Sequence, residues 1–105
     1  MGNDLKQVQF VINNGRVLRR INLLRYDYAD LETVQKVVER EGMQVNEFLD
    51  CINFLSEEKY IHLRTRVGKN EVSLAGRDYR ELEAKVSARG IRLLAGEITD
   101  KLVEE

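Results

Sequence analysis

Residues 44–61, QVNEFLDCINFLSEEKYI, contain the pattern that decides the fold. Phe48, Ile52 and Leu55 recur with i, i+4 and i+7 spacing, which predicts a helix that turns one stripe toward a core. A short polar corner then ends the helix, and an extended segment begins at Tyr60. The stretch therefore predicts a helix that passes through a tight corner directly into a strand.

The outer face of this central helix carries the wrong charge for a helix that lies on DNA. From Glu41 to Glu58 the sequence contains five carboxylates and no Lys or Arg. Phosphate contacts normally supply most of the affinity for DNA, and phosphates repel carboxylates. Any binding to DNA therefore requires cations from other parts of the chain.

The composition is that of one folded domain. The 105 residues are 43% apolar and 33% charged, which is ordinary for a globular protein. The net charge of −1 argues against coating nucleic acid by bulk electrostatics, although it leaves a local basic patch open. No apolar run approaches the roughly 18 residues of a membrane span, and the N-terminus lacks a signal-peptide pattern. We therefore expect a cytoplasmic protein.

Residues 1–15 are predicted to form a separate apolar arm, because Asn13-Asn14-Gly15 reads as a break. The arm fits a helix through Leu5, Val8, Val11 and Ile12, or a strand through Val8, Phe10 and Ile12. Such an arm packs either on its own domain or on a second copy of the chain.

Arg16–Arg25 is predicted to be the next helix. It contains four cations and no acidic residue: Arg16, Arg19, Arg20 and Arg25. Its inner face is predicted to contain Val17, Leu18, Ile21 and Leu24.

Tyr26–Ala29 is predicted to be a linker, followed by a helix over Leu31–Glu41. Asp30 is a good N-cap for that helix, and Gly42 suits the left-handed position past its end. The inner face of the helix is predicted to contain Leu31, Val34, Val37 and Val38.

The start of the central helix has two interpretations. If Gln44 caps it, Glu47 can reach back to the backbone N–H of the cap, with Met43 and Phe48 in staple positions. Because Gln is a poor cap residue, the helix could equally start at Asn46. The turn from Gly42 to Gln44 has about the length that a helix-turn-helix requires.

A β-hairpin is predicted after the central helix. Ile61, Leu63, Thr65 and Val67 face inward and alternate with His62, Arg64 and Arg66, which give the strand a basic outer face. Gly68-Lys69-Asn70 is predicted to turn, and residues 71–75 can pair back; the path over 68–79 stays open. The returning strand contains Leu82, Ala84 and Val86.

The C-terminal part is predicted to be helical. Ser87 can cap a helix over Ala88–Ala95, which Gly96 ends. Ile91, Leu94 and Ala95 are predicted to face inward. The acidic tail, 97–105, spaces Ile98, Leu102 and Val103 for one more short helix.

This order of elements resembles winged helix-turn-helix proteins of the ArsR/MarR type. The resemblance is carried by FLDCINFLSEEKYIHL, which leads into the hairpin or wing, and by VSARGIRLLAG, which closes it. Short stand-alone winged-helix proteins of phages and prophages are similar in length and ending. The resemblance covers residues 16–96 and implies a mainly α fold with a small antiparallel β wing, of class α+β.

The resemblance implies DNA contacts on two surfaces. The recognition helix would present Val45, Asn46, Leu49, Asp50 and Asn53 to the groove. Phosphates would be held by Arg16, Arg19, Arg20 and Arg25 of the first helix, and by Arg64, Arg66, Lys69 and Arg77 around the wing. Asn46 and Asn53 could read adenine edges. The competing interpretation is that these arginines form a solvated face paired with nearby carboxylates.

The sequence lacks the patterns of catalysis and of metal binding. His62 has no patterned partner, and Glu57 and Glu58 are adjacent on a helix, so they point in different directions. With a single cysteine, Cys51, the chain has no internal disulfide and no cysteine cluster for a metal. Cys51 flanks the buried side of the central helix, which favours a small core residue over a reactive thiol. We expect a protein that is not an enzyme and that uses no cofactor or metal.

The leading prediction is a DNA-binding transcription regulator of phage or prophage type. Its expected partners are double-stranded DNA and a second copy bound through the N-terminal arm and the C-terminal helix. The alternative is a winged-helix module that binds protein without binding DNA, because the acidic central helix exposes Val45 and Leu49.

Overall fold

Four α-helices and a three-stranded antiparallel sheet make up the part of the chain that the computed structural model describes, residues 2–24 and 26–104. In chain order they are α1 (Gly2–Ile21), β1 (Ala29–Asp30), α2 (Leu31–Arg40), α3 (Val45–Glu57), β2 (Ile61–Thr65), β3 (Leu82–Val86) and α4 (Ala88–Leu94). Short 3₁₀ turns cover Asn22–Leu24 and Tyr79–Glu81. The predicted α+β class is confirmed. No described helix is long and apolar enough to cross a membrane.

Helix α3 is the central helix of the sequence prediction, and its apolar stripe lies in the core. Phe48, Ile52 and Leu55 are fully buried. The helix starts after Gln44, whose backbone N–H donates to Oε1 of Glu47 at 2.8 Å. The interpretation that begins the helix at Gln44 is therefore confirmed over the start at Asn46.

A left-handed residue ends α3 and starts the corner that leads into β2. Lys59 has a φ of +67°, and its N–H donates to the Ser56 carbonyl. The N–H of Tyr60 donates to the Leu55 carbonyl at 2.9 Å, which completes a Schellman ending. Gly42 and Gly96 have the same role after α2 and α4. The chain can therefore turn from helix to strand within three residues.

The start of α4 holds this corner in place. The carbonyls of Glu58, Lys59 and Tyr60 accept hydrogen bonds from the Arg89 side chain, the Ser87 hydroxyl and the Ser87 N–H. The Ser87 hydroxyl also accepts from the N–H of Gly90, as predicted for the cap of α4. A Cβ at position 90 would collide with the Tyr60 carbonyl, so glycine permits the close approach.

The sheet has the strand order β1-β3-β2, so the returning strand lies in the centre. Ile61 pairs with Val86, and Thr65 pairs with Leu82. Ala29 pairs with Ala84 in the third strand, so the prediction of a plain linker over Tyr26–Ala29 is wrong at its last residue. A two-residue strand has no alternation that sequence reasoning can detect.

Asp30 occupies the N-cap position of α2, but its side chain makes no capping hydrogen bond. Its carboxylate instead pairs with Arg66 at 3.3 Å. The predicted position is right and the predicted capping contact is wrong, because a cation from the hairpin competes for the same oxygens.

The hairpin strand is shorter than predicted. Strand β2 ends at Thr65, and Val67 is 89% exposed rather than inward-facing. The Thr65 hydroxyl donates to the Val67 carbonyl and accepts from the Asn70 N–H, which closes the loop. The chain then runs back along the outer edge of β2, where the N–H of Val72 donates to the Leu63 carbonyl. Pairing by residues 71–75 is limited to a bridge at Glu71.

Helix α1 runs without a break through Asn13-Asn14-Gly15, so the predicted separate arm and the predicted helix start at Arg16 are wrong. The described part of the arm is helix and not strand. Asn14 is fully buried, and its amide donates to the Leu102 carbonyl at 2.9 Å. Asn and Gly each cost a helix up to about 1 kcal/mol relative to Ala. Tertiary contacts outweigh that cost here.

Residues 97–104, which we call the C-terminal strap, cross α1 at this point. No helix forms in the strap, so the predicted final helix is wrong for the described residues. Val103 is buried, and the N–H of Glu104 donates to the Val11 carbonyl at 3.1 Å. The Tyr60 hydroxyl donates to Asp100 at 2.7 Å, which ties the strap to the corner after α3.

Helix α4 ends at Leu94, one residue earlier than predicted, and its buried face differs from the prediction. Ala95 is exposed, whereas Leu93 is fully buried and Ile91 and Leu94 are half-buried. The helix is only two turns long, too short for periodicity to indicate which face meets the core.

Replacing Gly15 by alanine is expected to destabilise the full chain by about 1–3 kcal/mol, because the added methyl group would overlap the Glu104 carbonyl. In a chain truncated after Gly96, the same substitution is expected to stabilise by up to about 1 kcal/mol, since alanine is the better helix former. Urea unfolding of the four variants measures both effects. Equal destabilisation in the two backgrounds would exclude the strap as the cause.

Candidate functional site

The outer face of α3 presents four of the five residues predicted to read DNA. Val45, Asn46, Asp50 and Asn53 are exposed. Leu49 is half-buried and packs against the core, so it is less accessible than the sequence suggested. Two carboxylates, Glu47 and Asp50, share this face with the asparagines, and no Lys or Arg of α3 offsets them.

The N-terminal half of α1 lies beside this face of α3. The rings of Phe10 and Phe54 meet edge to face, with centroids 5.4 Å apart, and hold the two helices together. A groove of about 540 Å³ runs between them. We call it the α1–α3 groove; its walls include Leu5, Lys6 and Phe10 from α1, and Asn46, Glu47 and Asp50 from α3.

The sequence interpretation missed the α1 wall of this groove. Lys6, Phe10 and Asn13 share one helical face, with i, i+4 and i+7 spacing. That periodicity could have revealed the face if Asn13-Asn14-Gly15 had not been taken as a break.

The α1 side of the groove continues into an exposed apolar surface. Leu5 is 73% exposed and Val8 is 56% exposed, one helical turn apart. Leu5 also lines the groove. The first turns of α1 therefore join an acidic wall on α3 to an uncovered apolar stripe.

The arginines of α1 are engaged within the domain. Arg16 donates to the Glu41 carbonyl at 3.2 Å, and Arg20 forms an ion pair with the Glu41 carboxylate. The hydrogen bond from Arg20 lowers the pKa of Glu41. Arg19 donates to the Glu104 carbonyl at 3.0 Å. Arg25, the fourth predicted cation, lies outside the described residues.

Two hairpin cations converge on the buried carboxylate of Glu83, which is 7% exposed. Arg64 binds one carboxylate oxygen at 2.9 Å, and Lys69 binds the other at 2.8 Å. The Arg64 guanidinium also stacks 3.5 Å from the ring centroid of Tyr28. Burial would raise the pKa of Glu83, but the hydrogen bonds from Lys69 and Arg64 outweigh it, and the pKa is lowered.

Two more cations lie farther out on the hairpin, and each meets a carboxylate. Arg66 pairs with Asp30 at 3.3 Å, and Arg80 pairs with Asp78 at 2.8 Å. Arg77, which was also predicted to hold phosphate, is exposed. Arg66, Lys69 and Arg80 border a shallow depression beside the sheet. Of the cations predicted to hold phosphate, Arg20, Arg64, Arg66 and Lys69 are therefore paired with carboxylates, as in the competing interpretation.

Other chemically capable side chains are dispersed. Burial raises the pKa of Cys51 to about 12, which keeps its thiol protonated. His62 is exposed on the outer side of β2. Within residues 2–24 and 26–104, no three His, Cys, Asp or Glu side chains converge closely enough to hold a metal ion.

Comparisons with known proteins found no match to a family model, a curated protein or a solved structure.

Replacing Glu83 by glutamine is expected to cost about 1–3 kcal/mol at pH 7, because two charge-assisted hydrogen bonds are lost. The lowered pKa means that the carboxylate stabilises the fold above its ordinary pKa of 4.5, and that this contribution disappears as the pH falls through the lower folded value. The difference between wild type and E83Q should therefore shrink in urea unfolding at acidic pH.

The matched control for this pH series is Glu81→Gln, which replaces a neighbouring carboxylate that is exposed. Its effect is expected to be within about 0.5 kcal/mol at every pH. If the difference in unfolding free energy between wild type and E83Q stays constant from pH 7 to acidic pH, the stabilising role of the Glu83 carboxylate is contradicted.

Proposed function

We propose that this chain is a winged helix-turn-helix domain that acts by binding protein at the α1–α3 groove. Support for the fold comes from α2 and α3, which are joined by a tight turn containing Gly42, and from the β2–β3 hairpin that follows α3 directly. The short strand β1 completes the sheet beside the hairpin. The proposal also includes a cytoplasmic location for the protein.

The proposal of protein binding is supported by the residues that line the α1–α3 groove. Its α3 wall bears Glu47 and Asp50, where a helix lying on DNA would approach phosphates. Its α1 wall leads to Leu5 and Val8, which are large apolar side chains left uncovered. An apolar surface rimmed by charge marks a protein contact more often than a nucleic-acid contact.

The experiment compares capture by the wild type and by a groove variant, Leu5→Asp with Asp50→Lys. Both side chains are exposed, so the fold should persist, which circular dichroism checks. Quantitative mass spectrometry of proteins retained from a lysate should show at least a roughly tenfold loss of specific partners.

The matched control variant is Lys36→Glu with Glu57→Lys, which changes two exposed charges outside the groove. It should retain what the wild type retains. Identical capture by the groove variant and the wild type would refute the proposal.

Binding to duplex DNA, as by a regulator of phage or prophage type, is the second candidate function. The observation in its favour is the outer hairpin, where Arg66, Lys69 and Arg80 are exposed. Exposed ion pairs contribute about 0–1 kcal/mol, so phosphates could displace Asp30 from Arg66 and Asp78 from Arg80. Asn46 and Asn53 would then be the side chains available for base edges.

DNA binding by the hairpin is tested with Arg66→Ala combined with Arg80→Ala, because both arginines lie in exposed ion pairs. If the wing holds phosphates, the logarithmic salt slope for a mixed-sequence duplex should decrease by about two, because each phosphate contact contributes about one. Fluorescence anisotropy across a salt series measures it, with exposed Arg92→Ala of α4 as control. No binding by the wild type at low salt would exclude this function.

A further inference from the structure

We infer that the protein bound at the α1–α3 groove is a second copy of this chain, related by a two-fold axis, with Lys6 of each copy facing Asp50 of the other. This inference rests on the proposed function, because it names the partner of the same groove. The observations that carry it are the charges of the two groove walls and the exposed apolar residues beside them.

The two walls of the groove have opposite charge. Lys6 lies on the α1 wall, and Glu47 and Asp50 lie on the α3 wall. Among the described ion pairs, none joins Lys6 to either carboxylate of its own chain. Glu47 already accepts the backbone N–H of Gln44 at the start of α3, so Lys6 and Asp50 are the groove charges left for a partner.

A two-fold dimer requires a surface that complements itself. In such an interface, if residue i meets residue j, then j also meets i. Placing α1 of one copy against α3 of the other brings Lys6 to the acidic wall twice. If both walls of the groove carried the same sign of charge, the two copies would repel each other in this arrangement.

Leu5 and Val8 supply the apolar contact that a charged pair lacks. They lie on the first turns of α1, next to Lys6, and are 73% and 56% exposed. Around the axis, the two α1 helices would cover each other's Leu5 and Val8. Burial of these side chains stabilises the dimer, and the two sets of ion pairs fix its register.

Such a dimer has a consequence for α3. Asn46 and Asp50 line the groove, so a second copy seated there would cover side chains that a DNA-reading helix must expose. The dimer of this chain would therefore use its central helix as an interface.

The test is a charge swap between two chains, followed by sedimentation velocity over a concentration series. Wild type is expected to dimerise with a dissociation constant on the order of micromolar. Lys6→Glu and Asp50→Lys are each expected to weaken the homodimer about tenfold or more, because repulsion replaces attraction at two symmetric places. An equimolar mixture of K6E and D50K should form a heterodimer with affinity near that of the wild type.

The heterodimer is the decisive species, because only contacts between chains can restore it. Matched controls are Lys36→Glu on α2 and Glu57→Lys on α3, both exposed and outside the groove; they should leave the wild-type constant unchanged. Circular dichroism of every variant separates loss of dimer from loss of fold.

Three results would overturn the inference: a wild type that stays monomeric at all concentrations, a dimer that neither reversal weakens, or a mixture that fails to recover. If wild type is monomeric while the groove variant still loses captured proteins, the inference fails and the proposed function stands. If captured proteins are also unchanged, both fail.

Discussion

The fold depends on the corner that follows α3. Three consecutive carbonyls, of Glu58, Lys59 and Tyr60, accept hydrogen bonds from residues at the start of α4. The Glu58 carbonyl caps α3 and the next two carbonyls follow it, so the helix itself supplies no donor to any of the three. The buried Tyr60 ring extends the same junction toward the strap by its bond to Asp100, and burial raises the pKa of Tyr60 to about 12. The corner thereby joins α3, the sheet, α4 and the C-terminal strap.

A second constraint is the distribution of charge. The arginines of α1 and the hairpin cations Arg64, Arg66 and Lys69 meet carboxylates or carbonyls of the same chain, and Glu83 is buried between Arg64 and Lys69. A cation that already has a partner must exchange it to bind phosphate, which lowers the net gain from a nucleic acid. Asp50 and Lys6 are on opposite walls of the α1–α3 groove, and this arrangement favours a partner that carries both charges.

The parts of the fold that were predictable are those with local signals. The stripe of α3, the cap at Ser87 and the left-handed glycines after α2 and α4 all depend on contacts within a few residues of sequence. The prediction failed at Asn13-Asn14-Gly15, at β1 and at the strap, since each depends on a partner far along the chain. The prediction of the candidate site was incomplete for the same reason. The sequence indicated the α3 wall of the groove, but the α1 wall was missed because Asn13-Asn14-Gly15 was interpreted as a break.

By itself, the sequence determined that α3 would be the pivot of an α+β domain and that its outer face would be acidic, because helical periodicity and side-chain charge are properties of neighbouring residues. The tertiary structure decided what lies beside that face. It made α1 one continuous helix, because the Leu102 carbonyl accepts a hydrogen bond from the Asn14 side-chain N–H and the Glu104 backbone packs against Gly15. It thereby placed Lys6 and Phe10 opposite Asp50, a juxtaposition across about forty residues that no local pattern contains.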